Sequence, residues 1–92
     1  MLKVYSILDD KAQCFNTPYF AQNDLVASRS FSDLCNDSRS IVAQHLGDFH
    51  LYCLGEFDED KGILKPFDMP NFIGHAMQYA NVERSTGDGD TL

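Results

Sequence analysis

Hydrophobic and polar positions along the chain follow two periods. Leu2 to Leu8 is rich in β-branched and aromatic residues and closes on Asp9-Asp10, the pattern of a strand running into a turn. Alternation places Leu2, Val4, Ser6 and Leu8 on one face and Lys3, Tyr5 and Ile7 on the other. Both faces are partly apolar, so the strand is either central in a doubly covered sheet or presents its second face to a partner. Lys11 to Pro18 reads as a loop with a short extended piece at Cys14-Phe15. The period then changes. Asn23 is suited to cap a helix, Asp24 complements its dipole, and Ala27, Phe31, Leu34 and Cys35 recur at the spacing of one buried helical face. These residues predict a helix over about 23–36, stopped by Asn36-Asp37.

Ser38 to Asp48 is a connection with one helical turn around Ile41-Val42-Ala43. Phe49 to Phe57 alternates again, with Phe49, Leu51, Cys53, Gly55 and Phe57 expected to face the helix and His50, Tyr52, Leu54 and Glu56 to face away. The acidic run Asp58-Glu59-Asp60-Lys61-Gly62 suits a hairpin turn with Gly62 at positive φ. Ile63 to Phe67 returns as an edge strand because Pro66 cannot donate to a ladder. Asn71 to Val82 fits either a helix or a last irregular strand. The expected fold class is therefore α+β: an antiparallel sheet of three to four strands packed on one main helix, with an acidic β-hairpin at about 49–67. The expected domain is a single unit over 1–83, followed by a disordered tail at 84–92 that has little apolar content.

Composition narrows the function classes. The net charge of −7 is uneven: residues 1–47 carry four basic and five acidic side chains, residues 48–92 three and nine. That balance opposes a broad basic footprint on duplex DNA and an anionic membrane partner, and it admits a basic protein partner for the acidic half. No apolar run approaches the roughly 20 residues of a membrane span, and no charged-then-apolar leader opens the chain, so the cytoplasm is the expected location. Three cysteines at wide spacing suit neither a disulfide framework nor a zinc knuckle and read as small buried hydrophobes.

No constellation carries catalysis or a cofactor. His45, His50 and His75 form no metal-ligand spacing, and Asp58 as the first position of a calcium loop places Met69 where a glutamate is needed. The cysteines on core positions lack an oriented histidine, and the paired carboxylates lie in surface turns. Neither a metal nor an enzymatic activity is expected. What remains is the sheet face drawn from Lys3, Tyr5, Ile7, His50, Tyr52 and Leu54. Rings interleaved with cations on an open sheet are a way of gripping single-stranded nucleic acid. The plainer alternative is that this face is buried, under the C-terminal segment or against a second copy.

Four stretches together resemble a known family: Lys-Val-Tyr-Ser-Ile-Leu-Asp-Asp-Lys at 3–11, Pro-Tyr-Phe at 18–20, Phe-Ser-Asp-Leu-Cys-Asn-Asp at 31–37, and His45 to Asp58 with Gly62. They are similar, over roughly 2–68, to the small nonstructural DNA-binding protein of the gokushoviruses, the VP5 or ORF5 protein of these single-stranded DNA phages of the Microviridae. The sequence departs from that family's His-Pro-Glu-Asp at His45-Leu46-Gly47-Asp48. The resemblance implies a non-enzymatic protein absent from the virion, acting in the infected bacterium's cytoplasm during genome replication or packaging, with single-stranded DNA as the attributed partner. The matching basic or aromatic positions outside the expected core are Lys3, Tyr5, Lys11, Phe15, Tyr19, Arg29 and Tyr52. A homodimer is expected as well. An acidic adaptor that engages a capsid, scaffold or host replication protein is the alternative.

Overall fold

The computed structural model describes residues 1–80; the end of the expected domain and the expected tail at 84–92 lie outside the described residues. Five antiparallel strands and three α-helices appear in the order β1 (Leu2–Asp9), β2 (Cys14–Phe15), β3 (Tyr19–Ala21), α1 (Asp24–Cys35), α2 (Ile41–Gln44), β4 (Phe49–Asp58), β5 (Ile63–His75) and α3 (Ala76–Tyr79), with a single 3-10 turn at Leu46–Asp48 leading into β4. The architecture is the expected α+β class, with one strand beyond the expected three to four because β2 and β3 both form. Across the sheet the order is β2-β1-β4-β5, and β3 pairs with β1 on the same side as β2. The central pair is thus β1 with β4, and β5 is an edge. Among the described residues no helix is long and apolar enough to cross a membrane.

Helix α1 forms where its periodicity places it. The Asn23 side chain accepts from the Val26 amide at 2.9 Å, and Asp24 sits in the first turn. Ala27, Phe31 and Cys35 are buried, whereas Leu34, expected among them, lies at the edge of the stripe and is exposed. The helix covers one face of the sheet, where Tyr5, Ile7, Leu51 and Cys53 complete the core. Helix α3 joins this layer through Tyr79, whose ring meets Phe31 edge-on at 5.4 Å. Asn36, just past α1, donates to the Tyr79 carbonyl at 3.1 Å and ties the two helices together.

The register settles which side chains face the helices, and it corrects two expectations. Tyr5 pairs with Cys53 and Ile7 with Leu51, so this parity of β1 is the core face, and the expected open face with Tyr5 and Ile7 on it does not exist. Val4 pairs with Gly55 and Tyr5 with Cys53, which leaves Leu54 as an unpaired bulge residue. An extra residue reverses the parity of everything after it. Gly55 and Phe57, expected to face the helix, therefore join Leu2 and Val4 on the opposite side, where Phe57 meets Phe20 edge-on at 5.4 Å.

Strand β5 runs well past Phe67, and the segment left open between helix and strand divides at His75 into strand and a short helix. Both prolines of the strand, Pro66 and Pro70, are tolerated because β5 is an edge and breaks register: Gly55 pairs with Pro66 but Cys53 with Asn71, so residues 67–70 fall outside the paired ladder. The hairpin turn is as expected, with Gly62 at φ +69° and its amide donating to the Asp58 carbonyl at 2.7 Å. Of the cysteines, Cys35 and Cys53 are buried, while Cys14, expected to be buried too, is exposed in the short strand β2.

Candidate nucleic-acid interface on the outer sheet face

With the helices on one side, the other side of the sheet is uncovered. Ser6, Tyr52 and Phe72 lie in register across β1, β4 and β5, and Leu8, His50 and His75 form the next rung, extended to Phe15 in β2. Because Ser6 is small, rings from neighbouring strands close over β1. Phe15 and Tyr52 meet edge-on with centroids 5.4 Å apart, and Tyr52 and Phe72 do the same at 5.6 Å. Phe72 continues to His75 at 4.6 Å, and His75 to His50 at 4.8 Å. The result is an unbroken row of five rings across the full width of the sheet. Edge-to-face pairs of this kind stabilise by about 0.5–1.5 kcal/mol beyond area burial and hold the rings in one arrangement.

The row ends in a polar relay. Asp10 Oδ2 lies 2.7 Å from His50 Nε2, and His50 Nδ1 lies 2.7 Å from His75 Nδ1. The carboxylate can only accept, so His50 Nε2 donates its hydrogen bond to it, and of the two Nδ1 atoms one donates to the other. The carboxylate is thus behind one imidazole and not beside the two facing nitrogens. Among the described residues no group of three or more His, Cys, Asp or Glu side chains is disposed to hold a metal ion. Together Asp10, His50, Tyr52, Phe72 and His75 line a shallow open depression.

Of the seven positions singled out by sequence, Phe15 and Tyr52 come together in this row. Lys11 follows Asp10 in the β1–β2 turn and is exposed at the same end of the sheet, its amide bound to Asp9 Oδ1 at 3.1 Å. The other four lie on the helix side. Tyr5 is fully buried, its hydroxyl donating to Asp24 Oδ1 at 2.6 Å. Tyr19 is half-buried and donates to the Ala27 carbonyl at 3.0 Å. Lys3 is in register with Ala21 and Glu56, and Arg29 is exposed on α1, with no ion pair to Asp33 among the described residues. Burial is the leading cause that raises both phenols: Tyr19 is pushed up to about 12, and Tyr5, with Asp24 beside it, still further. Burial likewise pushes the Cys35 thiol up to about 11 and raises Cys53, which leaves neither as a ready thiolate.

Phe72 and His75 are members of the row that sequence reasoning did not select. They are three residues apart and share a face only because the register shifts between Leu51 and Tyr52, so strand alternation does not pair them. Comparison with known proteins adds one match: the family described as Phage ORF5 protein, over residues 2–79. No curated protein and no solved structure matches the chain.

Proposed function

The chain belongs to the phage ORF5 protein family, and on that premise we propose that it is a non-enzymatic phage protein that holds single-stranded DNA on the ring row of its open sheet face. It would act in the cytoplasm of the infected bacterium during genome replication or packaging. The observation that carries this reading is the row itself: Phe15, Tyr52 and Phe72 in mutual edge contact on an uncovered sheet, with two imidazoles at one end. Every base has a π-face, so stacking on such rings is sequence-tolerant and contributes roughly 1–3 kcal/mol per base. Cations are few here, with Lys11 in the flanking turn. Affinity in this reading comes from stacking, and electrostatics add little in a chain of net charge −7.

Fluorescence anisotropy of labelled oligothymidine tests this. Tyr52→Ala and Phe72→Ala each weaken binding about tenfold, the equivalent of about 1.4 kcal/mol, while Leu25→Ala on the helix layer leaves it unchanged. No binding at low salt and micromolar protein overturns the reading. A second reading, the acidic adaptor, is favoured by Asp58, Glu59 and Asp60 at the exposed end of the β4–β5 hairpin. A basic protein retained after nuclease treatment, in a pull-down from infected cells, supports it.

A further inference from the structure

We infer that the outer sheet face is a self-association surface, closed in the free protein by the same face of a second copy. Three observations carry this. The first is exposure. Phe15, Phe20, Leu64 and Phe72 are 40%, 48%, 60% and 49% exposed on a single face that is apolar from the ring row to the hairpin arm. Near the arm Val4, Leu54, Leu64 and Pro66 line a groove whose exposed surface is almost wholly apolar, although Glu56 and Lys65 also border it. Patches of this extent are unusual on a chain that remains alone.

The second is charge. No Lys, Arg, Asp or Glu occupies a register position on this face, and Asp10, at its rim, is engaged by His50 at 2.7 Å; Lys3 and Lys65 flank Glu56 in register on the opposite side. Two chains of charge −7 repel wherever their carboxylates meet. The outer face is where they approach with least repulsion, and a two-fold contact requires only that one patch match itself.

The third is size. Four strands about 4.8 Å apart and eight residues rising about 3.3 Å each give a flat footprint of about 500 Å². Corrugated by its side chains, that footprint approaches the ~800 Å² per partner of a standard interface. Two such faces pack about 10 Å apart as a sandwich, with the helices outside. The ring row lies within this surface, so a second copy and DNA exclude one another. That corollary rests on the proposed function, whereas the association itself does not.

Sedimentation velocity of the full chain tests the inference. A species of two chains is expected at micromolar concentration. Leu64→Lys and Phe20→Lys each raise its dissociation constant at least tenfold, with circular dichroism unchanged because both side chains are already exposed. Leu25→Lys, at an 81% exposed position on the helix layer, leaves the species intact. A monomer throughout overturns the inference, as does association lost in Leu25→Lys and retained in the two face variants. Added oligothymidine is expected to shift the mass to one chain per strand segment, and a DNA-bound species that keeps two chains overturns the exclusion. Absence of DNA binding overturns the proposed function alone, since the face variants are read without DNA.

Discussion

The Tyr5 hydroxyl and the Asp24 carboxylate, 2.6 Å apart, join the middle of the central strand to the first turn of the main helix. Tyr5 is fully buried, and Asp24 also complements the helix dipole. Tyr5→Phe removes the donor and keeps the ring. The expected loss is about 1.5–3 kcal/mol, the range for a hydrogen bond to a charged group, measured by urea denaturation. Oligothymidine affinity should not change, because Tyr5 is on the far side of the sheet from the ring row.

Alkaline stability should fall in a defined window. Tyr19 is raised to about 12 in the fold, while an unfolded chain ionises tyrosine near pH ~10. Tyr5 is raised in the same direction. Each contribution is complete below about pH 10 and is lost as pH rises through the folded value, because only the unfolded chain releases the proton in between. Thermal melts between pH 9 and pH 12 (roughly, from the tyrosine reference) check this. The double variant Tyr5→Phe, Tyr19→Phe should be less stable at neutral pH and show a flatter alkaline decline.

Gly55 is required by close approach. A Cβ there would lie 2.5 Å from the Lys65 carbonyl oxygen and 2.8 Å from the Pro66 Cα, both backbone atoms of the paired strand. Gly55→Ala must push β4 and β5 apart, with an expected loss of about 1–3 kcal/mol. Gly47→Ala, where nothing lies within 4 Å, is the matched control. Equilibrium unfolding of both variants decides the matter.

If DNA binding rests on stacking, its salt dependence should be shallow. One or two phosphate contacts correspond to a log–log slope of about −0.7 to −1.4 for a single strand. A much steeper slope would place the DNA against a basic surface and away from the ring row.

The helix, the hairpin and its glycine turn were legible because each is local: a cap residue, a 3.6-residue period, a positive-φ glycine. The facing of β1 was not. Leu2, Val4 and Leu8 are as apolar as Tyr5 and Ile7, so hydrophobicity did not separate interior from exterior, and Tyr5 was read as an outward ring. Its burial depends on a carboxylate supplied from a distant helix, which no local pattern records. The length of β5 was hidden for a related reason. Two prolines and Gly74 signal breaks, and an edge strand that bulges at 67–70 accommodates them. Of the five rings, Phe15, His50 and Tyr52 were consequently visible, and Phe72 and His75 were not.

Leu54 gives β4 a property that a uniform strand lacks. The alternation from Phe49 to Phe57 is unbroken in sequence, yet one unpaired residue makes its first half interior and its last residues exterior. A strand read in one phase thus furnishes two surfaces. Deleting Leu54 would make Cys53 and Gly55 neighbours and remove the bulge while Phe57 stayed on the bare face beside Leu2, so both surfaces would persist in a strand whose sequence alternation then matched its facing.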